Sequence, residues 1–294
     1  MKTFTINSSI SEVINYDKFR GFGHLIFPTE FAHNINSMKI NQVSSLLPYH
    51  TSVSAEDTVN LINKMSRRVY SGETIFYDFY SKSDKESDQR KEKTGLFYFP
   101  GKSDAPFAVI SAGGAFQYVG SIHESIPLAD YVSEQGLNAF ALVYRTGSSE
   151  IACQDLAKAL NFIFDHAKEL NVSTKGYSLW GGSAGAIMSA ALGSYGTEAY
   201  YAKQIPRPGA VIMEYIGYSD YTKNDPPTFA VMGTADPYFN YKTLEKRINN
   251  LKALGIDAEF LRVPGAPHGF GLGKGTNAEG WIDKAIEFWK KQLK

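Results

Sequence analysis

Residues 181–185 read Gly-Gly-Ser-Ala-Gly, between the apolar run Tyr177 to Trp180 and the small-residue helical pattern Ala186-Ile187-Met188-Ser189-Ala190-Ala191. A serine hydroxyl is a weak nucleophile until a neighbouring base takes its proton. A sharp strand-to-helix turn suits that role, because it lifts the hydroxyl clear of the backbone. Such a turn tolerates only small side chains, since larger ones two residues before and after the serine would collide across the bend. Gly181, Gly182, Ala184 and Gly185 all meet that condition around Ser183.

In this setting G-x-S-x-G matches the nucleophile elbow of α/β-hydrolases, which place an acid and then a histidine downstream of the serine. His268 is the one histidine after Ser183; the other five are His24, His33, His50, His123 and His166. It sits in the loop Gly265 to Gly271, after the strand-like run Ala258 to Val263. The expected acid is Asp236, just past the buried-strand pattern Thr228 to Gly233. From there a carboxylate reaches the Nδ1 side of a histidine on the next loop, fixes its tautomer and stabilises the imidazolium. Asp225 and Asp257 are rivals, but both lie near the start of a strand, at the opposite edge of the sheet.

Acyl transfer also needs N–H donors for the developing oxyanion. Ala184, next after the serine, is one candidate. The others are Gly113 and Gly114, with Ala115 as a further one, in the loop Ser111 to Phe116 after the apolar strand Phe107 to Ile110. Ala112 and Ala115 stand where many esterases carry His and a third Gly, so the loop must be braced differently.

A chain of 294 residues can bury one large core. Lysines plus arginines equal aspartates plus glutamates at 30 each, which gives no electrostatic case for nucleic acid or an anionic membrane. The single cysteine, Cys153, excludes an internal disulfide and is expected to pack on a helix. The polar start of the chain has no signal-peptide pattern, and no apolar span is long enough for a membrane, so a cytoplasmic location is expected. No metal signature stands out: His123-Glu124 lacks a second histidine at metalloprotease spacing. The glycine-rich run Gly269 to Gly275 misses the phosphate-loop spacing, and no cofactor is expected.

The elements that must position these residues alternate between strand and helix from residue 73 on. Strands are expected at 74–80, 95–99, 107–110, 139–143, 177–180, 210–215, 228–233 and 258–263. Helices are expected at 125–135, through Leu156, Leu160, Ile163, Phe164 and Ala167, over the pattern Ala186 to Ala191, and at 241–254 and 278–292. His166 falls off its helix's apolar face and is expected to be exposed. The charged segment Lys82 to Lys93 reads as a solvated hairpin turn. Helices between apolar strands imply an α/β fold with a mostly parallel central sheet covered on both faces, the early hairpin adding antiparallel strands at one edge. Residues 1–72, with one helix over 55–68, break this rhythm. They are read as an N-terminal extension forming a partial lid over a catalytic domain at 73–294, plain packing behind the sheet being the alternative.

The GGSAG elbow, the SAGGAF loop, the stretches from His123-Glu124 to Asn138-Ala139-Phe140 and Tyr144-Arg145, and His268 to Gly273 with Ala278-Glu279-Gly280-Trp281 together resemble one group. They are similar to α/β-hydrolase serine esterases, among them bacterial acetyl xylan esterase-like and feruloyl esterase-like carboxylesterases, over residues 95–292. The resemblance implies a carboxylesterase for small-molecule esters with short acyl groups, often on sugars. It also implies a triad of Ser183, Asp236 and His268. An amidase or a serine peptidase on the same fold, and a catalytically silent binding protein, are the alternatives.

Overall fold

The computed structural model describes residues 1–32 and 34–294; His33 lies outside the described residues. Its centre is an eight-stranded sheet in the order β1-β2-β4-β3-β5-β6-β7-β8. The strands are β1 (Phe76–Tyr77), β2 (Gly95–Phe99), β3 (Ala105–Ser111), β4 (Asn138–Val143), β5 (Val172–Gly182), β6 (Ala210–Glu214), β7 (Thr228–Gly233) and β8 (Ala258–Val263). All pairs from β4 across to β8 are parallel, and β2 runs antiparallel to both its neighbours. Every residue of β2, β4, β6 and β7 is buried, as a sheet covered on both faces requires.

The helices in chain order are α1 (Ile10–Ile14), α2 (Ala55–Tyr70), α3 (Lys82–Ser87), α4 (Ser125–Glu134), α5 (Ser149–Asp165), α6 (Ala184–Tyr195), α7 (Tyr241–Ala253) and α8 (Trp281–Lys291). The Tyr131 hydroxyl of α4 donates to Asp283 of α8 at 2.7 Å. Trp281 and Trp289 of α8 pack on Trp180, the core tryptophan three residues before the serine. After β3 the chain passes first to β4 on one side of it and then to β5 on the other. The loops leaving β3 and β5 therefore diverge at their C-terminal ends and open a crevice between them, where α/β sheets place ligands.

Two expectations give way. The segment 82–93 is not an open turn: Ser81 caps α3 in a reciprocal bond with Asp84, and a 3-10 helix covers Gln89–Lys93. Asp88 between them reaches the buried guanidinium of Arg145 at 2.8 Å, which also grips Asp155 on α5. Asp88 thus pairs with the body of the protein, while Lys82, Glu86 and Arg90 face water as expected. His166 is half-buried, its ring stacked on Phe162 with centroids 4.3 Å apart and its Nδ1 2.8 Å from the Phe162 carbonyl.

Residues 1–72 pack into the same core as the sheet. Phe22 stacks on Phe76 of β1 and meets Phe97 of β2 edge-on. Phe4, Ile10, Val13, Phe19 and Ile26 are at most 1% exposed. Ser9 and Ser54 cap the α-helices of this region, α1 and α2.

Candidate active site

Ser183 stands at the end of β5 with φ 50° and ψ −117°, a conformation that side-chain-bearing residues adopt at a cost of about 1–3 kcal/mol. The neighbouring glycines make it attainable. A methyl group on Gly185 would lie 1.9 Å from the Ser111 carbonyl oxygen, and one on Gly181 would lie 2.1 Å from the Gly185 backbone. The Ser183 N–H donates to the Glu214 carbonyl at 3.0 Å, which ties the elbow to β6.

The three sequence-predicted residues stand in one row. His268 Nε2 lies 3.1 Å from Ser183 Oγ, and His268 Nδ1 lies 2.7 Å from Asp236 Oδ2. The other Asp236 oxygen accepts the N–H groups of Tyr238 and Phe239 at 2.8 and 3.0 Å, so backbone geometry holds the carboxylate toward the ring. With Nδ1–H on the carboxylate, Nε2 is left to accept the serine proton. Tyr215, Tyr238 and Phe239 surround the imidazole with ring centroids 5.0, 5.1 and 5.7 Å away, which limits water around it. Asp225 is paired elsewhere, with Arg247, and Asp257 faces Lys291 and Gln292.

The base loop is pinned at successive residues. Thr51 Oγ1 donates to the His268 carbonyl at 2.7 Å and its N–H to the Gly269 carbonyl at 3.0 Å. Trp281 Nε1 donates to the Gly271 carbonyl at 2.9 Å, and His123 Nε2 lies 3.2 Å from the Gly269 carbonyl. His123 is half-buried, and desolvation of its ring together with the nearby His50 pulls its pKa down to about 4 and keeps it neutral at pH 7.

The oxyanion candidates are not equivalent. The Gly113 N–H donates inward to Glu124 Oε2, so it is not free for a substrate oxygen; this departs from the sequence reading. The Gly114, Ala115 and Ala184 N–H groups find no acceptor among the described residues. Gly114, Ala115 and Phe116 have φ of 136°, 55° and 56°, three successive positive values that mark a strained, over-determined loop. The bracing differs from a histidine-led loop in a visible way. The Tyr144 hydroxyl donates to the Ala112 carbonyl at 2.6 Å, and Glu124 holds Gly113 from beneath.

Glu124 is 1% exposed and meets His50 Nε2 at 2.8 Å and the Tyr215 hydroxyl at 2.7 Å. Burial pushes its pKa up, but the His50 ring, the Gly113 N–H and the Tyr215 hydroxyl outweigh it and bring the carboxyl down to about 2. Sequence reasoning noted His123-Glu124 as an incomplete metal motif and as part of the esterase resemblance, gave neither residue a role, and assigned nothing to His50 or Thr51. Their partners lie far away in the chain, and no local spacing announces them.

The C-terminal part of the chain, residues 192–294, matches the model of the prolyl oligopeptidase family, a stretch that holds Asp236 and His268 but not Ser183. No curated protein matches. Among solved structures, esterase 2 of the planctomycete Thermogutta terrifontis is similar in its butyrate-bound form, with a TM-score of 0.61 and 20% identity over 74% of this chain and 93% of that one. Its propionate-bound form gives a TM-score of 0.59 and 22% identity over 67% and 89%. The α/β hydrolase MGS-M1, from a Medee basin deep-sea metagenome library, gives 0.59 and 21% over 68% and 93%. At such identities the likeness speaks for architecture, and the chain has the α/β-hydrolase fold.

Proposed function

We propose that the protein is a serine carboxylesterase that cleaves short-chain acyl esters of small molecules through an acyl-enzyme. The carrying observation is the proton row from Ser183 Oγ through His268 to Asp236, at 3.1 and 2.7 Å. His268 takes the serine proton as Oγ attacks the ester carbonyl, and the oxyanion forms beside the unpaired N–H groups of Ala184, Gly114 and Ala115. His268 then protonates the leaving alcohol, and water repeats the sequence on the acyl-enzyme. The triad and these donors supply every proton and charge the reaction needs, without a cofactor.

Two features support a short acyl group on a ring-bearing alcohol, such as an acetylated or feruloylated sugar. The similar Thermogutta esterase binds butyrate and propionate, and it is phosphonylated by cyclosarin, as a serine enzyme would be. Beside His268, Tyr238 is 52% exposed and meets Tyr49 edge-on; Tyr49 stacks on Tyr118, and Phe31, 42% exposed, meets Tyr118 in turn. Exposed rings next to a reacting serine offer flat faces to a sugar or aryl leaving group. Among the described residues no helix is long and apolar enough to cross a membrane.

The family match favours a second reading, in which the acyl group leaves an amine and the enzyme is an amidase or peptidase. Kinetics on p-nitrophenyl acetate, propionate, butyrate and longer esters, acetylated xylo-oligosaccharides and matched anilides decide between them. Preference for acetate to butyrate esters over the anilides is expected. Anilide turnover as fast as ester turnover transfers the assignment to the second reading, and no labelling of Ser183 by a fluorophosphonate discards both.

A further inference from the structure

The loop after β3 and the base loop are held at their spacing by three consecutive residues from the N-terminal region. Tyr49 donates its N–H to the Tyr118 hydroxyl oxygen at 3.2 Å. His50 places Nδ1 2.8 Å from the same oxygen and Nε2 2.8 Å from Glu124 Oε1. Thr51 turns the other way and holds His268 and Gly269 by their carbonyls. The Tyr118 oxygen thus accepts from Tyr49 and shares a hydrogen bond with His50 Nδ1, and the Nε2–H of His50 goes to Glu124.

Glycines mark where this strap lies. A methyl on Gly120 would sit 2.5 Å from the His50 ring, and one on Gly269 would sit 2.5 Å from the Tyr49 carbonyl oxygen. Gly113 abuts the nucleophile itself: a methyl there would come within 2.8 Å of Ser183 Cβ. The peptide that Glu124 fixes is thus the one that starts the loop facing Ser183.

We propose that His50 and Glu124 are positioning residues of the active site: His50 anchors the Glu124 carboxylate, which turns the Gly113 peptide inward and so sets the following N–H groups for the oxyanion. The proposal rests on the serine-hydrolase reading. A stability role alone is a poor account of the pair, because a buried ion with its partners is commonly no more stabilising than apolar residues of the same volume. A moving lid is a poor account too, because lifting residue 50 would strip a buried carboxylate of its partner. With Thr51 on the base loop, one short stretch of chain sets the separation between the imidazole and the oxyanion loop.

The test uses the full chain and variants H50A, H50Q, E124A, E124Q and T51V. Each is read for its fluorophosphonate labelling rate, for kcat and KM on p-nitrophenyl acetate, and for its melting temperature, with kinetics taken well below each melt. H50A and E124A are expected to lower kcat and labelling about 10- to 100-fold, the scale of a misplaced oxyanion donor, with KM changed less than about threefold. H50Q, whose amide N–H stands near the place of Nε2–H, should recover much of the loss, and E124Q should fall between E124A and wild type. Folded H50A or E124A that labels at the wild-type rate overturns the proposal, as does a loss confined to KM. Should the alanine variants not fold, E124Q and T51V decide: labelling lowered in either with the melt little changed supports the strap, and wild-type labelling in both overturns it. Wild-type protein that does not label overturns the serine-hydrolase reading and the strap together, whereas wild-type labelling with indifferent variants removes the strap alone.

Discussion

Asp225 is paired with Arg247 and not with His268. Both side chains are 1% exposed, and Asp225 also accepts from the Ser194 hydroxyl at 2.7 Å and the Thr222 N–H at 2.8 Å. Two carboxylates flank β7, one before it and one after it, and they have separate tasks. D225A leaves a buried guanidinium uncompensated and is expected to cost about 3–5 kcal/mol of stability. The labelling rate of the protein that stays folded should not change. Urea denaturation alongside fluorophosphonate labelling checks both halves.

The converse holds for Asp236. D236N keeps the shape of the side chain and its acceptor for the Tyr238 and Phe239 N–H groups, so the melt should move little. It lets His268 take the wrong tautomer, and kcat is expected to fall about 10³- to 10⁴-fold. S183A should remove about 10⁵- to 10⁶-fold and abolish labelling. Ester hydrolysis rates at matched protein concentration give both figures.

Glu214, at the end of β6, is fully buried, and neither carboxylate oxygen has a hydrogen-bond partner among the described residues. Burial and the charge of Glu124 raise its pKa well above the usual carboxylate range. Above about pH 4.5 an unfolded chain releases the proton that the folded chain keeps, so this group lowers stability as pH rises, with a slope approaching about 1.4 kcal/mol per pH unit. E214Q cannot ionise and escapes that loss. Its urea midpoint should match wild type near pH 4 and exceed it increasingly from pH 5 to 8. Parallel midpoints over that range would refute a neutral Glu214.

Cys153 on α5 is 2% exposed, and burial pushes its thiol up to about 12. Thiolate is the reactive form, so an aromatic disulfide reagent at pH 8 should leave the native protein unmodified. It should titrate one thiol once urea unfolds the chain. Absorbance of the released thiolate against urea concentration will then trace the unfolding curve itself.

The sheet was legible in the sequence because parallel strands buried on both faces read as short apolar runs; 139–143 and 228–233 fall on β4 and β7 almost residue for residue. Elbow and base loop were legible because steric need writes small residues around Ser183 and glycines around His268. The partners of Gly113 were not, because a hydrogen bond from Glu124 or a strap from residue 50 leaves no periodicity to read. Within Lys82 to Lys93, Asp88 misled for a related reason: its charge looks solvated until Arg145 and its buried partner Asp155 appear. The N-terminal region was opaque because short 3-10 turns, such as Ile40–Leu46, lack the repeating spacing that betrays longer helices.

Thr51 and His268 are 217 positions apart in the chain, yet they share a hydrogen bond. A ribosome must therefore deliver the whole stretch between them before the two can meet, and a nascent chain carries its elbow serine before its imidazole is seated. Contacts of such long range close slowly. On this account the hydroxyl stays chemically quiet until the His268 loop docks against Thr51.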